Sequence, residues 1–192
     1  MHETAQRVLA FWFGAPGSPE RGGPRVEWFR KDDAFDDAIR TQFGEAVAIA
    51  LAGGFGEWCT TADGSLARIL LLDQFTRNIF RGTARAFAGD ERALATAEDA
   101  VARGFDRELT PHERWFVYMP FEHAESVPAQ HRSLELFGAL AREMGDDGAL
   151  VWARKHAEVI FRFGRYPHRN AILGRASTPE EEAYLREPGA GF

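Results

Sequence analysis

Phe35, Ile39, Phe43, Val47 and Leu51 recur at a strict i, i+4 spacing. An α-helix gathers such residues on one side, whereas a strand would scatter them over two faces, so the run reads as a helix. Asp32 or Asp33 can cap its start, and Gly53 with Gly54 stops it. The same punctuation repeats along the chain. Thr4–Phe13 reads as a short apolar helix, Ser65–Phe80 as another ended by Gly82, and Asp90 opens one that runs to about Arg103 before Gly104. "TPHE" at Thr110–Glu113 and "TPEE" at Thr178–Glu181 each place a cap threonine, a proline at the first helical position and a glutamate at the third. In that pattern threonine and glutamate satisfy orphan amides reciprocally. The first begins a helix through Met119, where Pro120 lacks a donor and predicts a kink or stop. Helices from Pro128 to about Met144, from Ala149 to about Arg165, and a short one at about 178–186 complete the set. With no strand pattern, the expected fold is all-α without a sheet, one helical domain over 1–192 built of stacked antiparallel hairpins. Short loops pair 90–104 with 110–126 and 129–144 with 149–165, two hairpins about 39 residues apart.

A chain of 192 residues buries roughly 70% of its unfolded surface, enough to fold without a metal or disulfide. Cys59 is the only cysteine, which excludes an internal disulfide and any cysteine-rich zinc site. The formal net charge of −6 argues against a nucleic-acid binder or an anionic-membrane binder, since both want a basic field. No apolar run of about 18 residues is present, so no membrane span is expected. The start, "MHETAQRVLAFWFG", carries an early acid and no small-residue cleavage site, and reads as a helix rather than a signal peptide. A cytoplasmic protein is the expectation, and nothing in the sequence fixes an oligomeric state. The Gly/Pro-rich stretch Gly14–Pro24 reads as a loop, either a lid or an idle linker.

Charge is unevenly placed. Val159–Pro179 holds Arg162, Arg165, His168, Arg169 and Arg175 and no acid, and Gln74–Gly89 holds three arginines and no acid. In "LLLDQFTRNIFRGT" the residues Leu71, Leu72, Phe75 and Ile79 share one helix face, while Asp73, Gln74, Arg77, Asn78 and Arg81 take the other. Asp73 can neutralise Arg77 at i, i+4, which leaves Arg81 over. In "YMPFEHAES" the proline precedes Glu122, His123 and Glu125, and carboxylates beside an imidazole suit acid–base work. The spacing matches neither HExxH nor a paired Glu-x-x-His, so no metal site is expected. His156 shares a face with Trp152, Val159, Ile160 and Phe163, as a core histidine does. Finally, "FGRYPHRN" puts Arg165, His168, Arg169 and Asn170 on a turn constrained by Gly164 and Pro167. These arginines either cap helix carbonyls and pair with Glu122 and Glu125, or hold a ligand's carboxylate or phosphate bidentately.

"VLAFWFG", "WFRKDDAFDDAI", "LLLDQFTRNIFRGT", "YMPFEHAES" and "HAEVIFRFGRYPHRNAILGR" resemble, in order from Val8 to about Tyr184, the bacterial family called domain of unknown function 924. Thr76 stands where that family usually has proline, in "DQFPRN". The resemblance implies a tetratricopeptide-like helical bundle. It carries over no catalytic residue, substrate or cofactor.

Two functions are expected from the residues. In the first, a small anionic molecule binds in a cleft lined by Arg77, Asn78, Arg81, Glu122, Glu125, His156, Arg165, His168, Arg169 and Asn170, with Glu122, His123 and His168 as candidates for moving protons. No cofactor is expected, because neither a phosphate-binding glycine loop nor a dinucleotide fingerprint is present. In the second, a helical groove uses the same arginines to grip an acidic or C-terminal peptide.

Overall fold

The computed structural model describes residues 2–18, 21 and 23–191; the loop expected at Gly14–Pro24 therefore includes Pro19, Glu20 and Gly22, which lie outside the described residues. Among the described residues there is no strand, and no helix is long and apolar enough to cross a membrane. The helices are α1 (Glu3–Phe13), α2 (Asp33–Leu51), α3 (Ala62–Ile69), α4 (Phe75–Ile79), α5 (Asp90–Ala102), α6 (Pro111–His123), α7 (Val127–Met144), α8 (Gly148–Phe163) and α9 (Pro179–Leu185). The chain forms two compact units. One comprises the residues up to Arg81 with Arg85–Pro120, the other Gly82–Ala84 with the chain from Phe121 onward.

The caps are those the sequence marks. Asp32 accepts the amides of Ala34 and Phe35 at 3.0 and 3.1 Å. Thr110 and Glu113 exchange bonds at 2.9 and 3.4 Å, and Thr178 and Glu181 at 2.7 and 3.2 Å. Pro120 is a correction: α6 runs through it to His123. The run expected as one α-helix over Ser65–Phe80 is also modified, because Leu70–Gln74 widens to a π-helical turn between α3 and α4. Gly89 sits against this turn, where a Cβ would lie 2.1 Å from the Leu72 carbonyl oxygen.

In the first unit an aromatic core forms around Phe116, whose ring meets Trp28, Phe13 and Trp12 edge-on at 4.9, 5.4 and 5.5 Å. Such edge-to-face contacts add about 0.5–1.5 kcal/mol each beyond area burial. Arg25 and the Trp28 indole N–H donate to the Trp12 carbonyl at 3.0 and 2.9 Å, satisfying an end of α1 that has no helical partner. Helix α5 buries the small residues Ala93, Ala97 and Ala100 and lies mainly against α3 rather than α6. In the second unit α7 and α8 form the expected antiparallel hairpin, turned by Gly145 at φ 67°. Val159, Ile160 and Tyr166 form a core packed by Phe163 and Tyr184.

Candidate functional site

Much of the polar face that runs from the π-helical turn into α4 is buried. Asp73, Gln74 and Asn78 are all buried, and each arginine there meets acids of the same unit. Arg77 lies 3.1 Å from Asp73, as its i, i+4 spacing predicts, and also grips both oxygens of Asp90 at 2.9 and 3.1 Å. Arg81, which has no acid near it in sequence, donates to both oxygens of Asp36 on α2 at 2.8 and 2.9 Å, and Asn78 adds a bond to the same carboxylate at 2.7 Å. Burial by itself raises the Asp36 carboxyl, but the bonds from Arg81 and Asn78 outweigh it and hold the group below the ordinary carboxylate range.

The acid-free window is balanced the same way, by carboxylates outside it. Arg162 meets Glu180 at 3.1 Å, and Arg165 takes both oxygens of Glu181 at 2.6 and 2.8 Å. Arg175 takes both oxygens of Glu125 at 2.6 and 2.9 Å. Glu125 also accepts the Tyr166 amide at 2.8 Å, and these bonds keep it low despite burial, which alone would raise it. Asn170 is a linker: its amide donates to Ser177 and Glu181 at 3.0 and 3.3 Å, and its carbonyl accepts from Arg175 at 3.0 Å. Of the two acids expected to pair with the window, Glu125 does so. Glu181 was visible in sequence only as a helix cap, yet it pairs with Arg165 as well.

Glu122, His123, His156, His168 and Arg169 come together in the second unit, around Tyr166. The Glu122 carboxylate is 3.0 Å from His156 Nδ1, which is also 2.9 Å from the Trp152 carbonyl. The rings of His156 and His168 lie 5.7 and 5.5 Å from that of Tyr166, and the Arg169 guanidinium stands 4.5 Å over its face. His123 is 6.1 Å from His156, ring to ring. The end of α6 that carries Glu122 and His123 is held by side chains. Gln130 donates to the carbonyls of Phe121, Glu122 and Ala124 at 3.2, 2.8 and 2.9 Å, Tyr166 donates its hydroxyl to Glu122 O, and Arg169 bonds His123 O at 3.1 Å. Burial pushes the Tyr166 phenol far above its usual range. Burial, then the charges of Arg169 and His156, press the His168 imidazole down to about 4, so it is neutral at pH 7.

Gln130 and Tyr166 are residues that sequence reasoning missed. The one signal for Tyr166 was its place before Pro167, which holds it extended.

The family model described as "Bacterial protein of unknown function (DUF924)" matches residues 8–189. No curated protein matches the chain. A solved structure of the protein of unknown function ATU0120 from Agrobacterium tumefaciens is 41% identical, with a TM-score of 0.83, over 95% of this chain and 96% of that one. A family match over nearly every residue, together with this likeness of fold and sequence, places the chain in the DUF924 family.

Proposed function

We propose that the second unit binds a small anionic molecule at the donors gathered around Tyr166, with Glu122 and His156 positioned for proton transfer. The observation that carries this reading is the convergence of His156, His168 and Arg169 on one aromatic ring. The Arg169 guanidinium, 4.5 Å over that ring, would attract a phosphate or carboxylate. Arg165, Arg175, Arg77 and Arg81 take a different part in this proposal: each is anchored to a carboxylate and serves the fold. Glu122 and His156, already 3.0 Å apart, have the base-and-orienter geometry that general acid–base work needs.

The test is thermal unfolding in the presence of inorganic phosphate and of small mono- and dicarboxylates. At an excess of about 100 times Kd a bound anion stabilises by ~2.7 kcal/mol. Arg169→Met should abolish that increment while Arg77→Met should keep it. No stabilisation by any of these anions, or an increment unchanged in Arg169→Met, would sink the proposal.

A further inference from the structure

The Glu122 carboxylate is set apart from its neighbours. Glu125 and Glu181 each hold a guanidinium bidentately. Glu122 is only 4% exposed, and its partner among the described residues is an imidazole nitrogen. A buried carboxylate needs a compensating positive charge, which a protonated imidazole or a bound cation can supply. What surrounds this one is a set of metal ligands: one donor atom each from Glu122, His123 and His156 lies within 4.8 Å of the other two.

We propose that Glu122, His123 and His156 bind a divalent transition-metal ion of the zinc type. One carboxylate and two imidazoles make up a three-ligand set that leaves a fourth position open, as catalytic zinc sites do. Donors on a tetrahedral ion stand roughly 3.4 Å apart, given bond lengths of about 2.0–2.2 Å. The widest separation, 4.8 Å, therefore closes by about 1.4 Å to roughly 3.4 Å when an ion binds.

The surroundings suit a metal for a second reason. Ligands are commonly fixed by an outer layer of hydrogen bonds, and here the main chain that carries two of them is held: Gln130 and Tyr166 donate to the Glu122 carbonyl and Arg169 to the His123 carbonyl. The sequence hid the site because two ligands are adjacent on α6 and the third comes from α8. Arg169, next to His123, would favour an anion or hydroxide at the open position. The site does not depend on anion binding, but with a metal bound Glu122 and His156 serve as ligands, and the proton-transfer role given to them above applies to the metal-free chain.

The experiment uses the full chain, stripped with a chelator and dialysed into phosphate-free buffer. Co²⁺ is titrated with detection of its visible d–d absorption, and Zn²⁺ is followed by calorimetry. One equivalent of each should bind, Co²⁺ giving bands of tetrahedral intensity. Glu122→Gln, His123→Asn and His156→Asn should each weaken binding at least about 10- to 100-fold, the loss typical of removing even outer partners. The exposed His131→Asn should leave it unchanged. Should either buried variant fail to fold by circular dichroism, His123→Asn decides, since its side chain is only half-buried. Absence of a one-to-one site in the unaltered chain, or affinity that persists in His123→Asn, overturns the proposal. Phosphate stabilisation measured with chelator present tests the anion reading separately, so either can fail alone.

Discussion

Arg165 grips both oxygens of Glu181 at 2.6 and 2.8 Å, and one of those oxygens also accepts the Thr178 amide at 2.7 Å. One carboxylate thus caps α9 and anchors the turn after α8. The Arg165 guanidinium, through its hydrogen bonds, holds Glu181 down to about 2. Thr178→Ala should cost about 1 kcal/mol, the value of a lost cap. Glu181→Ala should cost more than either Thr178→Ala or Arg165→Ala, because it removes both contacts. Urea unfolding of the three variants checks the order.

Asp36 serves Arg81 and Asn78 together. Removing a partner from a fully buried pair costs about 3–5 kcal/mol, but the Arg81 side chain is 41% exposed and water can reach it. Asp36→Ala is therefore expected to cost about 2 kcal/mol. Asp37→Ala, next to it but paired to Arg40 on the surface, should change stability by less than about 0.5 kcal/mol. Equal costs would contradict the assignment.

Gly89 has an ordinary φ of −95°, so conformational freedom is not what keeps it glycine. Space is: a Cβ would stand 2.1 Å from the Leu72 oxygen. Gly89→Ala must push α5 away from the π-helical turn and should destabilise by about 1–3 kcal/mol, the usual range for overpacking. Gly138→Ala in α7, where the nearest atom is 3.7 Å away at the tip of Arg142, should be neutral or stabilising.

His168 titrates near 4 in the folded chain, against about 6.5 when unfolded. Between those values the unfolded chain binds the extra proton, so stability rises with pH through the window and falls as the medium is acidified from 6.5 to 4. The groups acting on it, after burial, are Arg169, His156 and Arg175, which lower it, and Glu125, which raises it. The slope should be on the order of 1 kcal/mol per pH unit, and His168→Gln should flatten it. Thermal melts at half-unit steps of pH measure this, and an unchanged slope in the variant would refute it.

Much of the fold was legible because its signals are local. The apolar spacing from Phe35 to Leu51, the cap at Asp32 and the boxes at Thr110 and Thr178 all act within one or two helical turns, and each helix start they mark is present. Of the kink or stop expected at Pro120 the stop is absent, and α6 continues to His123. Charge balance, by contrast, is not local. Arg81 finds Asp36, Arg175 finds Glu125 and Arg165 finds Glu181, separated by 45, 50 and 16 positions, so arginines in windows without acids meet carboxylates from outside them. The amino-acid sequence determined which segments are helices and to which family the chain belongs. Only the tertiary structure decided which carboxylate each of these arginines meets, and that Glu122 meets His156. Those pairings depend on which helix faces touch, and contacts between faces far apart in the chain leave no periodic trace along it.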